Sequence, residues 1–203
     1  MRFGRVEVTG GFLLLMAWLN YLDRSQLVPM AVLACALHEL GHFFAIRAAG
    51  ETVRLIRLTA IGAEMVLSRP LGYWQEGLAA LAGPGVNLVL ALVCCGFEKG
   101  LTFAGLNLIL AVFNLLPVGR LDGGRALRCT LALLAGPDLS ARVGGWLDCL
   151  CMAGSLAAGL WLAVFCGNIT LLLAALWLLA AFCKSNLEQN RNSTCQRGRK
   201  KVQ

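Results

Sequence analysis

The chain is 203 residues long, 58% hydrophobic and only 14% charged, where soluble domains run at about 45–50% apolar and about 25% charged. With a mean hydropathy of +0.71, a single core of this length cannot hide so much apolar surface from water, which excludes an ordinary soluble domain, a disordered chain and a fibrous repeat. The net charge of +7 is concentrated late, in Arg191, Arg197, Arg199, Lys200 and Lys201; a basic tail beside membrane segments is an orientation signal or an anionic-lipid contact, not a nucleic-acid face.

In chain order, Arg2 and Arg5 precede an apolar run that starts near Val6 and ends at Leu22. No small-x-small cleavage site follows, so it reads as a retained, short anchor rather than a signal peptide. A second span covers about Leu27–Ala49. Residues 51–68 mix Val53, Leu55 and Leu58 with Arg54, Arg57 and Thr59 in near alternation. That period predicts a hairpin turning at Ile61-Gly62, or else a surface loop. A third span runs from the interfacial pair Tyr73-Trp74 to Phe97, with a kink or break expected at Gly83-Pro84-Gly85. A fourth covers Leu101–Leu116.

Gly119–Pro137 is a half-polar connector with a short helix after Gly124. The fifth and sixth spans are about Trp146–Phe165 and Ile169–Phe182. Gly154 and Ala158 in the fifth offer a small-residue packing face. The fold expected is therefore all-α and polytopic: about six transmembrane helices, with a short membrane-associated β-hairpin after the second. One membrane domain covers 1–183, and residues 184–203 form a basic, disordered tail. No internal repeat or second soluble domain is visible. With six spans, every Lys and Arg except Arg24 and Lys99 falls on one side together with both termini. The positive-inside rule puts that side in the cytoplasm.

The chemistry-bearing residues are few. Seven of the nine cysteines, including Cys35, Cys94 and Cys149, lie in or beside apolar runs without a CxxC pair, and serve as small apolar filler. The only two histidines stand in His38-Glu39-Leu40-Gly41-His42. At positions i and i+4 they share one helical face and can reach one tetrahedral ion, while Glu39 reaches a water upon it. Ionisable residues inside an apolar span are costly and read as functional; the bland alternative is a polar cluster joining helices. Two histidines leave a catalytic zinc site one protein ligand short. Of the carboxylates, Asp122 in Leu121-Asp122-Gly123-Gly124 is the attractive third ligand, and Glu64, Glu76 and Asp148 are better read as interfacial.

These motifs, in this order, resemble the site-2 proteases: H-E-x-x-H in the second span, Gly83-Pro84-Gly85-Val86-Asn87, then Asn114-x-x-Pro117 followed by Leu121-Asp122-Gly123. The compact layout is similar to the branch containing the stage IV sporulation protease FB, without its C-terminal CBS domain, so nucleotide sensing is not carried over. The resemblance implies an intramembrane zinc endopeptidase of a bacterial cell membrane. One Zn2+ would be held by His38, His42 and Asp122, with Glu39 as general base. Asn87 and Asn114 would bind substrate backbone or the developing oxyanion, unless they only join helices. It also implies a membrane-tethered protein substrate, such as a transcription or sigma-factor precursor, received at the hairpin edge. A membrane regulatory partner or a second copy would be compatible with it; nucleic acid is not expected as a partner. The rivals are a metal transporter or sensor using the same ligands without hydrolysis, and a noncatalytic scaffold.

Overall fold

The computed structural model describes residues 2–4, 6–59, 62–119, 121–167, 169, 172, 173, 175 and 176. The chain divides into two compact units, Met1–Gly145 and Trp146–Gln203. In the first, strands β1 (Arg2–Phe3) and β2 (Val6–Val8) lead into helix α1 (Gly10–Leu22). Helix α2 (Leu27–Ala48) follows, then strands β3 (Val53–Thr59) and β4 (Gly62–Leu67), and helices α3 (Tyr73–Cys94), α4 (Leu101–Asn114) and α5 (Asp122–Ala135). Helix α6 (Pro137–Cys166) runs from the first unit into the second.

The expected hairpin is present, but it belongs to a larger sheet ordered β1-β2-β3-β4. The antiparallel β3–β4 pair carries a bulge between Val53 and Leu55, and β2 adds parallel to β3. Residues 6–8 are thus strand, not the start of the first span as the apolar run implied. Val6-Glu7-Val8 alternates and finds a partner edge. Thr9 then starts α1, its hydroxyl donating to the Leu58 carbonyl at 3.0 Å and accepting from the Phe12 N–H at 3.4 Å. Across the sheet Glu7, Arg57 and Glu64 stand opposite one another, with Arg57 Nε donating to Glu7 at 3.0 Å. These charges are partly exposed, so they fix register more than stability.

Among the described residues, three helices are long and apolar enough to cross a membrane: α2, α3 and α6. The six spans expected are therefore not all of spanning length. Helix α1 has 13 residues and α4 has 14, about 20 Å each at 1.5 Å per residue against a hydrocarbon core of about 30 Å. Of the kink or break anticipated in the third span, a break is absent, since α3 continues through Pro84. Proline inside a helix is tolerated where neighbouring segments take up the freed polar groups. Helix α5 starts at Asp122, two residues before Gly124, and α6 starts at Pro137, a favoured first helical residue, not near Trp146.

In α6, Gly154 and Ala158 are exposed, and a Cβ on Gly154 would meet nothing among the described residues. Of the sixth expected span only five residues are described, among which the Leu173 N–H donates to the Ile169 carbonyl at 2.9 Å. The expected tail, 184–203, lies outside the described residues.

Small residues set the helix spacing in the first unit. Ala34, Ala79, Ala80, Ala104 and Ala111 are buried, and α3 packs on α2, α4 and α5. A Cβ at Gly41 of α2 would lie 2.8 Å from the Ala82 carbonyl oxygen of α3, so these helices meet backbone to backbone. Close approach of small residues drives helix association where lipid removes the hydrophobic contribution. Beneath the sheet, Ile46, Val53 and Ala79 form a core with Phe43, Ile56, Met65 and Leu67. Large apolar side chains such as Trp18, Leu92 and Ile109 point outward, the arrangement a bilayer permits and water does not.

Candidate metal centre

His38 and His42 lie one turn apart on α2, and both are buried. Their Nε2 atoms are 3.1 Å apart, and Asp122 Oδ2 lies 3.0 Å from that of His38 and 3.2 Å from that of His42. A tetrahedral zinc with ligand distances of about 2.0–2.2 Å needs donor separations of about 3.3–3.6 Å. The three donors therefore stand within a few tenths of an ångström of the required spacing. Among the described residues this is the one group of three such side chains that could hold an ion. The donor chemistry fits as well: His42 Nδ1 is 2.7 Å from the Ala79 carbonyl. A carbonyl only accepts, so Nδ1 carries a proton, and Nε2 is the nitrogen that would give its lone pair to a bound ion, the usual outer support of a metal-bound histidine.

Local backbone chemistry makes the convergence possible. A Cβ at Gly83 would overlap His42 Nε2 and lie 2.9 Å from His38 Cε1, so α3 can pass beside the imidazoles only with glycine there. Likewise, a Cβ at Gly123 would run into the Leu115 carbonyl, and one at Gly124 into that of Val118. The two glycines let α5 begin directly against the turn that ends α4. Asp122 then stands at a helix N-terminus, where the dipole favours a carboxylate, and outside the three membrane-length helices. Burial pushes its carboxyl up, but hydrogen bonds with His38 and then His42 outweigh this and hold it at about 2, ionised as a ligand must be.

A cavity of about 230 Å³ opens on this centre. It is lined by Glu39 beside the histidines, by Ala63, Met65 and Leu67 of β4, and by Asn114, Asp122 and Arg125. Glu39 thus faces the same space as the donors. Asn114 reaches the cavity, but its amide donates to the Leu110 carbonyl of its own helix at 3.0 Å. Asn87 is fully buried in α3, outside the lining, and its amide atoms have no partner among the described residues. Among the described residues neither asparagine has an interhelical hydrogen bond. Of the carboxylates read as interfacial, Glu64 lies near Arg57 and Glu76 near Arg125, whereas Asp148 is buried and not interfacial. Sequence reasoning missed Gly83 as a contact residue, taking the Gly-Pro-Gly run only as a break. It also counted Arg125 only toward topology. The spacing of Gly83 and Ala79, one helical turn apart, was the available signal.

A histidine pair on an apolar helix and a carboxylate at the start of α5, with a second carboxylate at hand, are a donor set that suits a metal centre of the hydrolytic kind. Comparisons with known proteins agree. The model of peptidase family M50 matches residues 96–158. A Synechocystis protein named as a zinc metalloprotease is 34% identical over 150 residues, covering 64% of this chain and 39% of the relative. A zinc metalloprotease of Methanocaldococcus jannaschii is 28% identical over 152 residues, 66% of this chain and 44% of that one. The chain thus spans less than half the length of these two relatives. The solved structure of a site-2 protease from Methanocaldococcus jannaschii superposes with a TM-score of 0.61 at 26% identity, covering 88% of this chain and 89% of that one. What the chain is similar to is thus named consistently: peptidase family M50, two zinc metalloproteases and a site-2 protease.

Proposed function

We propose that this chain is an intramembrane zinc endopeptidase that cleaves a membrane-tethered protein. The observation that carries the reading is the convergence of His38, His42 and Asp122 on one point, with Glu39 on the same cavity and both histidines on α2, a helix of membrane length. Zinc held by these three residues would supply Lewis-acid polarisation of the scissile carbonyl and a water that is acidic near neutral pH. Glu39 takes the proton of the attacking water and delivers it to the departing amide nitrogen. His42, fixed by the Ala79 carbonyl, and Asp122, fixed by the Gly123-Gly124 turn, hold the ligand set in place.

The substrate enters as an extended segment, because a peptide bond within a helix is shielded by its own turn. Support comes from β4, the last strand of the sheet, whose Ala63, Met65 and Leu67 line the cavity. An unpaired edge there can pair with a substrate strand. The distribution of basic residues supports cytoplasmic termini and a cavity open to that side. Between α2 and α3 the chain holds only the two strands β3 and β4, which supports the compact branch that includes the sporulation protease and, as substrate class, a tethered transcription or sigma-factor precursor.

The test is Glu39→Gln. Glu39 is not a ligand, so this variant keeps its zinc and fold but cannot accept the proton. General-base catalysis is worth about 10²–10⁴-fold. Coexpressed with a membrane-tethered substrate, the wild type processes it and the variant shows essentially no product at equal protein and zinc levels. Processing by Glu39→Gln at the wild-type rate would refute the mechanism. Zinc movement across the membrane by both proteins, without cleavage by either, would establish the transporter instead.

A further inference from the structure

Asp122 has two carboxylate oxygens, and the structure gives them different neighbours. Oδ2 faces both histidines, whereas Oδ1 lies 3.8 Å from Nη1 of Arg125, three residues further along α5. The other end of the same guanidinium, Nη2, donates to Oε1 of Glu76 on α3 at 3.5 Å. Of the described residues lining the cavity, Arg125 alone carries a permanent positive charge. Glu76 lies one helical turn before Ala79, whose carbonyl orients His42. The first turns of α3 therefore reach two of the three donors, one through a carbonyl and one through Glu76 and Arg125.

We propose that Arg125, braced by Glu76, is a positioning residue for Asp122. It holds Oδ1 so that Oδ2 alone is turned toward the metal. The inference rests on the reading that His38, His42 and Asp122 bind zinc. Rotation of a carboxylate about its last bond is broad and weakly restrained, so without a partner on Oδ1 its plane is free to turn. Arginine suits the task because its planar fork addresses two carboxylates at once, whereas a lysine ammonium is a point charge. Side chains that orient metal ligands in this way are typically worth about 10–100-fold in metal affinity.

Charge alone predicts the opposite sign. A cation beside the site repels zinc, so removing it would tighten binding. The experiment is zinc competition against a chelator on purified full-length protein, with the visible spectrum of the cobalt-substituted protein as a report on ligand geometry. Arg125→Gln is expected to lose about 10–100-fold in zinc affinity and to shift the cobalt spectrum. Arg125→Lys, which keeps the charge but not the fork, should fall between it and the wild type. Glu76→Gln should lose less than Arg125→Gln.

His38→Ala separates the two hypotheses. If it binds zinc as the wild type does, the ligand set itself is wrong. If it loses zinc while Arg125→Gln binds as tightly as the wild type, or more tightly, with an unchanged cobalt spectrum, the positioning role is overturned. Should Arg125→Gln not fold, Arg125→Lys and Glu76→Gln decide, and wild-type affinity and spectrum in both overturn it.

Discussion

Gly83→Ala puts a methyl group where the structure has an imidazole. The new Cβ would overlap His42 Nε2 and crowd His38 Cε1, and drawing α3 away from α2 would open the close backbone contact of Gly41 with Ala82. His42 must therefore swing off its rotamer, at about 0.5–1.5 kcal/mol, and give up the Ala79 carbonyl, at about 0.5–1.5 kcal/mol more. A combined loss of about 1–3 kcal/mol corresponds to about 5- to 140-fold weaker zinc binding. Helix propensity works the other way, since Ala in place of Gly within a helix gains about 1 kcal/mol. Gly85→Ala isolates that gain: it lies two residues further along α3, and its Cβ would meet nothing within 4 Å. Chelator competition and thermal melting in detergent should show Gly83→Ala losing zinc affinity while Gly85→Ala keeps it and melts no lower than the wild type. Equal zinc affinity in Gly83→Ala and wild type, or an equal loss in both variants, would refute the packing argument.

Two further outcomes follow from parts of the chain away from the metal. Asp23 caps the start of α2, its carboxylate accepting from the Val28 N–H at 2.8 Å and the Ser25 N–H at 3.0 Å, and the Val28 bond in particular holds its carboxyl below the ordinary range. A depressed carboxyl stabilises the fold above its unfolded value of about 3.9 and loses that contribution as pH falls through the native value. The melting-temperature gap between wild type and Asp23→Asn should thus be constant near neutrality and close only in acid; a gap that widens on acidification contradicts the capping role. For topology, single cysteines in a cysteine-free background should react with an external reagent at positions 25 and 99 but not at 195. Labelling at 195 in intact cells reverses the assigned orientation.

The sequence by itself determined the solvent and the chemistry. Apolar content of this order demands a bilayer, and the sole histidine pair, spaced by one helical turn with Glu39 between, has one obvious use. Covalent spacing was enough there because the residues share one helix. Asp122 needed one further step, the donor count of a zinc site, and the structure then brought it to the histidines across 84 positions of chain. What sequence could not decide were matters of partnership. Val6–Val8 looked like the start of a helix because an apolar run carries no mark of a strand edge waiting 50 positions away. Gly-Pro-Gly looked like a break because local propensity outweighs nothing until neighbouring helices are present to stabilise a continuous α3. Asn87 and Asn114 looked equivalent, yet only the packing of α3 buries one away from the cavity while α4 presents the other to it. Arg125 and Glu76 were plain surface charges until α5 was laid against α3. Periodicity and donor chemistry are properties of a segment. Which carbonyl a ring nitrogen meets, and which glycine must stay bare to allow it, are properties of two segments at once, and only tertiary packing supplies the second.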